Sequence, residues 1–257
     1  MYSCGVIWLV FLTDLSGIGP LLLAAGDNTA LILCVLQYAA FVAPVVAHSV
    51  SAGFDLQATF ALRACEARHV AAGLVGGASL WVLLAAATAL HGGVDPLGAE
   101  ASYRIVEAST TVWAAPSDAP GWASLMAFGA VGPALAEEAL FRGYLLTALR
   151  SRLGSIDALA VVAMLFACFH LSISQFAPMA VLGLACGWAT VTTGSLLPAI
   201  AVHASHNAFA LAWGAAMAGG LVQPGPPGAV AVLAAALGAG LTATQFPRTN
   251  AMKVSRR

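Results

Sequence analysis

Three short runs hold the residues best able to do chemistry: AEEALFRG with Glu137, Glu138 and Arg142, FACFH ending at His170, and HASHN with His203, His206 and Asn207. Each run lies in a strongly apolar stretch, and a charge near the middle of a membrane helix costs about 2.5 to 3.5 kcal/mol. Isolated, Glu137, Glu138 and Arg142 would together cost about 8 kcal/mol. Glu138 and Arg142 stand at i,i+4 with the acid first, the order in which opposite charges meet on one helix face. One acid is thereby neutralised by its own helix. Glu137 is turned about 100° around the helix from its neighbour and is available to another span. His203 and Asn207 share a face at i,i+4, with His206 one position aside. A carboxylate, two imidazoles and an amide from three helices supply a base, a proton shuttle and oxyanion donors, the inventory for attacking an amide with water. The same side chains admit a second route, because Glu137, His170 and His203 offer Zn²⁺ three ligands with a fourth position open.

Holding these groups in apolar surroundings requires an apolar scaffold, and the composition supplies one. Of 257 residues, 60% are hydrophobic and 8% charged, and the net charge is −1. Soluble domains carry about a quarter charged residues, and disorder needs low hydrophobicity with high net charge, so both classes are excluded. The charge balance also argues against nucleic acid as a partner. Eight apolar stretches can be marked, at 3–25, 29–50, 70–91, 123–149, 156–172, 176–193, 196–217 and 226–245. They lack the period-two alternation of barrel strands, so the expected fold is all-α, a polytopic transmembrane bundle of about eight spans. Three regions follow: 1–122 with N-terminal spans and connections, 123–217 as the core carrying the motifs, and 218–257 with a last span and a basic tail.

Lys and Arg accumulate on cytoplasmic loops. Arg63 and Arg68 fall in the second connection, Arg150 and Arg152 in the fourth, and Arg248, Lys253, Arg256 and Arg257 in the tail. The third connection instead carries Asp95, Glu100, Glu107 and Asp118 against Arg104. Even connections and both termini are therefore assigned to the cytoplasm, and the protein to the cell (plasma or inner) membrane. The N-terminus lacks the basic n-region of a secretory signal and is expected to remain as the first span.

Other features read as structure. The five cysteines are scattered without a CxxC pair and are expected to pack as small apolar residues. His48, His69 and His91 lie at span edges, where helix–helix hydrogen bonding is the expected role. Gly183 and Gly187 form a GxxxG that lets another helix approach. Residues 54–69 mix apolar and charged positions at helical spacing, as in a segment lying along the interface, and 92–122 is a long outer connection. Depths counted from the cytoplasmic helix ends disagree: about 18 to 20 Å for Glu137 and about 21 Å for His170, against about 10 to 12 Å for His203.

The series EEALFR, FACFH and HASHN resembles the EExxxR, FxxxH and HxxxN motifs of the CPBP family, membrane-embedded endopeptidases that include type II CAAX prenyl proteases and bacterial Abi proteins. Glu137, Glu138 and Arg142, then Phe166 and His170, then His203 and Asn207 match in order, and the likeness covers about 123–217. The resemblance implies that Glu137 and His170 activate the attacking water, that His203 and Asn207 stabilise the oxyanion, and that Glu138 and Arg142 support the site. Family members are described both as metalloproteases and as glutamate-type proteases without a ligated metal, and both remain open at this point. His206 is extra to the bare motif. The implied substrate is a membrane-associated, CAAX-type protein or peptide, with processing of bacteriocin-like peptides as another role of bacterial members. Rival readings are a noncatalytic membrane scaffold or bacteriocin self-immunity protein of the same family, and a proton-coupled transporter, for which no inverted repeat is evident.

Overall fold

A computed structural model describes residues 29–92, 116, 118–170, 173–222 and 227–246. Among the described residues there are eight helices and no strand. Helix α1 runs through Thr29–Gln37, a wide π turn at Tyr38–Val42, and Ala43–Ser51. A single turn, α2 (Leu56–Thr59), precedes α3 (Ala67–Gly92). Helix α4 is continuous from Ala119 to Leu153 and contains π turns at Met126–Val131 and Ala139–Leu145. Then follow α5 (Ser155–Phe169), α6 (Ile173–Thr193), α7 (Leu197–Ala218) and α8 (Ala229–Gln245). Apart from 3–25, which lies outside the described residues, each marked stretch corresponds to one of these helices.

Four helices are long and apolar enough to span a bilayer: Cys34–Ser51, Ala67–Leu90, Ala119–Leu153 and Gln175–Thr193. Together with the shorter apolar helices they make this a multi-pass membrane protein. Helix α7 is long enough to span at 22 residues, but His203, Ser205, His206 and Asn207 lower its mean hydropathy. These residues are held inside the bundle.

Two of the π turns come just before a proline. Pro44 and Pro133 open the α-helical pieces that follow Tyr38–Val42 and Met126–Val131. Proline has no N–H to donate and its ring collides with the carbonyl four residues earlier, so the turn before it widens. The third π turn carries Arg142, and Gly143 within it lets the Phe60 ring approach; a Cβ there would lie 3.0 Å from Phe60 Cδ1.

Small residues bring the helices together, since between membrane helices packing replaces the hydrophobic effect as the driving force. On α3, a Cβ at Gly77 would lie 1.9 Å from the Val202 carbonyl oxygen, so α3 and α7 touch backbone to backbone. The opposite side of α3 meets α8, where Thr242 Oγ1 donates to the Ala72 carbonyl at 3.2 Å. Gly183 fits against Ala163 and Gly187 against Leu159, so the GxxxG of α6 packs on α5 of the same chain.

The turn between α6 and α7 explains the disagreement in depth. Leu196 N–H donates to the Ala61 carbonyl at 3.0 Å, and Ser195 Oγ to the Arg63 carbonyl at 2.6 Å, with Ser195 fully buried. The start of α7 is thus tied to the segment 61–63, with Ser195 and Leu196 buried under it while Leu197 faces outward. Counting from its first residue understates how deep His203 lies. The second, fourth and sixth connections meet here, since Arg63, Arg150 and Gly194 line one cavity. Their assignment to a common side is matched by the structure.

Candidate active site

Glu138 and Arg142 form the buried centre, and both are completely inaccessible to solvent. Arg142 Nη1 donates to Glu138 Oε1 at 2.5 Å, and Nη2 to the Gly183 carbonyl at 3.0 Å. The guanidinium lies 4.4 Å from the centre of the Phe166 ring, which adds a cation–π contact. The i,i+4 pair inferred from the sequence is therefore formed, and it is anchored on α5 and α6 as well.

The pair orients His203. Its Nδ1 lies 2.8 Å from Glu138 Oε1, and because an ionised carboxylate only accepts, Nδ1 is the donor. The opposite ring nitrogen, Nε2, is 3.8 Å from Glu137 Oε2. That gap is too wide for a hydrogen bond and close enough for strong electrostatic interaction. Glu137 faces His203 from one side and is held from the other, where Gln37 Nε2 on α1 donates to its Oε1 at 3.2 Å.

His170 caps α5. At 15 residues this helix is about 22 Å long, short of a hydrocarbon core of about 30 Å, so its last carbonyls need partners inside the bundle. His170 Nδ1 lies 2.9 Å from the Phe166 carbonyl. A carbonyl only accepts, so Nδ1 carries the proton and the neutral ring has Nε2 as its basic nitrogen. The Phe166 ring is an edge-on neighbour of His170 at 4.8 Å and of His203 at 5.6 Å, which accounts for an aromatic four residues before His170.

The helices thus bring Glu137, Glu138, Arg142 and His203 into one contact network, with His170 joined to it through Phe166. Asn207, one turn beyond His203, is half-buried and its side chain makes no hydrogen bond among the described residues. His206 is buried and lies against the backbone of Gly77 on α3. It faces the glycine contact between α3 and α7.

The donor sets can be tested for a metal. The trio of metal-ligating type gathered among the described residues is Glu138, Cys186 and His203, with ligand atoms within 4.8 Å of one another. Its shared oxygen, Glu138 Oε1, already accepts from Arg142 and from His203 Nδ1. A cation there would sit against a guanidinium and would need Nδ1 stripped of its proton. The other set, Glu137, His170 and His203, is not gathered within that spacing. Tetrahedral zinc, with bonds of about 2.0 to 2.2 Å, requires ligand atoms closer than that. Neither arrangement fits a metal ion.

Comparison with protein families locates the same region. Residues 119–209 match the family described as type II CAAX prenyl endopeptidase Rce1-like. The match makes this segment, about a third of the chain, similar to the CAAX prenyl endopeptidases. The Rce1-like segment begins with α4 and ends within α7, so it contains all three motifs. Comparisons with curated proteins and with solved structures returned no match.

Three contributors were not inferred from the sequence. Gln37 lies outside the Rce1-like segment, 100 residues from the carboxylate it holds. Its signal was a lone amide in the apolar run LILCVLQYAAFV. Cys186 and the Gly183 carbonyl carried no chemical signal, being an ordinary small residue and a backbone group. Elsewhere, His48 makes the expected interhelical contact, with Nδ1 2.8 Å from Tyr144 Oη. His69 differs: both ring nitrogens are buried without a hydrogen-bond partner among the described residues, and the ring stacks on Phe246 at 5.9 Å. The side chain of His91 lies outside the described residues. No disulfide forms among the described cysteines; Cys34 and Cys186 are buried, as expected of core residues, but Cys168 is exposed.

Proposed function

We propose that this protein is an intramembrane endopeptidase that hydrolyses a peptide bond in a membrane-associated, prenylated CAAX-type protein or peptide, using water activated by Glu137 and His170. The observation that carries this reading is the 3.8 Å gap between Glu137 Oε2 and His203 Nε2, with each group held from behind, by Gln37 and by Glu138. A base facing a donor across a short gap is what a tetrahedral intermediate requires.

In this mechanism Glu137 takes a proton from water while the basic Nε2 of His170 accepts a hydrogen bond from the other water hydrogen. The hydroxide forms a bond to the carbonyl carbon. The resulting oxyanion accepts from the Asn207 amide and from His203, which in its imidazolium form has a donor on Nε2 too. Glu137 then passes its proton to the leaving nitrogen as the carbon–nitrogen bond breaks. Glu138 and Arg142 touch no substrate atom and fix the ring of His203. Asn207 suits its role because its amide is uncommitted among the described residues. No step needs a metal, which agrees with the poor fit of both donor sets. We further propose a plasma or inner membrane location with both termini cytoplasmic.

Substrate class is tested by cleavage of matched peptides, one prenylated on its CAAX cysteine and one unmodified, by the protein in lipid vesicles. Preferential release of the C-terminal fragment from the prenylated peptide is expected. Equal cleavage of both would remove prenylation from the proposal and leave the hydrolytic chemistry intact.

A further inference from the structure

On the side of Arg142 that continues toward the end of α4, a cavity of about 160 Å³ opens between the α2 segment, α4 and the end of α6. Three arginines line it, Arg63, Arg142 and Arg150, together with Thr147 and Thr190, and no acidic residue does. Arg142 is neutralised by Glu138, but neither Arg63 nor Arg150 has an ion pair among the described residues. Arg150 donates from Nε to Ser155 Oγ at 3.2 Å, which orients the side chain and leaves both terminal nitrogens without a partner among the described residues. The acid nearest in sequence to Arg63 is Glu66, and it is paired with Arg68 at 2.9 Å. The two guanidiniums without an ion pair, Arg63 and Arg150, repel one another across a small cavity until an anion enters.

The walls are built in place. The Ala61 and Arg63 carbonyls accept from Leu196 N–H and Ser195 Oγ, tying this segment to the start of α7. Ala61 is held at a φ of 49°, a left-handed conformation that disfavours a side chain. On the same connecting segments and helix ends, Phe54, Leu56, Leu62, Leu153 and Leu197 are exposed, so the basic groups lie in sequence among exposed apolar side chains, as at a lipid–water boundary.

We propose that this cavity binds a phosphate group, with the guanidiniums of Arg63 and Arg150 as charge-assisted donors and the Thr147 hydroxyl as a neutral one. Guanidinium forks match phosphate geometry. The exposed apolar residues on the same segments favour the headgroup of an anionic phospholipid as the source, and free inorganic phosphate shares the same chemistry.

The test measures thermal unfolding of the full chain in vesicles of phosphatidylcholine alone and of phosphatidylcholine mixed with phosphatidylglycerol. A parallel series in neutral detergent titrates inorganic phosphate against chloride at equal ionic strength, so that screening is held constant. Wild type is expected to gain stability from phosphatidylglycerol, or from phosphate alone if the free ion is the ligand. Arg63→Gln with Arg150→Gln should weaken binding about tenfold per guanidinium removed. Arg150→Lys should restore part of it, and Thr147→Val, which leaves every charge in place, should weaken it by a smaller factor. Absence of any response in wild type, or an equal response in the folded double variant and wild type, overturns the proposal. So does a response only to a peptide with a free C-terminal carboxylate, which would make the cavity a peptide subsite.

Discussion

Removing Arg142 tests whether the buried ion pair orders the site or only fills it. Arg142→Met takes a guanidinium from a place with no solvent access and leaves the Glu138 carboxylate with His203 as its remaining partner. With charge centres about 4 Å apart and an effective dielectric near 20, the lost attraction is about 4 kcal/mol. Breaking a buried pair by deleting one partner costs about 3 to 5 kcal/mol, the same size. The Gly183 carbonyl also loses a donor. Unfolding in lipid micelles should therefore show Arg142→Met destabilised by about 3 to 5 kcal/mol. Adding Glu138→Met removes the stranded charge and should recover most of that loss, because apolar replacement of a whole buried pair is often neutral or better. Peptide cleavage should not recover in parallel, since the double variant leaves His203 Nδ1 without its anchor. Destabilisation of Arg142→Met by less than about 1 kcal/mol would refute the reasoning, for the pair would then be solvated or redundant. Recovery of cleavage in the double variant would refute the orienting role.

Further outcomes follow from individual contacts. Gln37→Leu removes the hydrogen bond that holds Glu137 and should lower kcat/KM about tenfold with little change in stability; an unchanged kcat/KM would remove Gln37 from the site. Gly77→Ala should destabilise strongly or prevent folding, because its Cβ would lie 1.9 Å from a backbone carbonyl oxygen, whereas Gly240→Ala meets open space and should be neutral; thermal unfolding of the two side by side checks this. Cleavage should persist after exhaustive chelation, and loss of activity restored by added zinc would show that the donor sets rearrange around a metal. His206→Gln should retain cleavage and His203→Ala should abolish it, since His206 faces α3 and His203 faces Glu137; the reverse result would exchange their assignments.

Much of this architecture was legible because the membrane penalises exceptions. Long apolar runs set the helices, and Glu137, Glu138, Arg142, His170 and His203 stood out as groups too costly to be idle. The spacing of Glu138 and Arg142 was enough to pair them. Gln37 escaped notice because an amide costs less than a charge in a membrane helix, and its partner is 100 residues away. The depth of His203 could not be read either. It depends on how segment 61–63 covers the start of α7, a tertiary contact made through backbone carbonyls that any sequence supplies. The π turns left a partial trace in Pro44 and Pro133, which mark where the helix must widen but not by how much.

The central claim is hydrolysis that depends on Glu137, and the most direct test is peptide cleavage by the protein in lipid, with new N-termini identified by mass spectrometry, comparing wild type with Glu137→Gln. The account predicts a defined set of cleavage products from wild type and their loss in the variant, with both proteins equally folded. Equal cleavage by the two, or none from folded wild type across prenylated and unmodified peptides, would contradict it and turn the buried network into the framework of a noncatalytic scaffold.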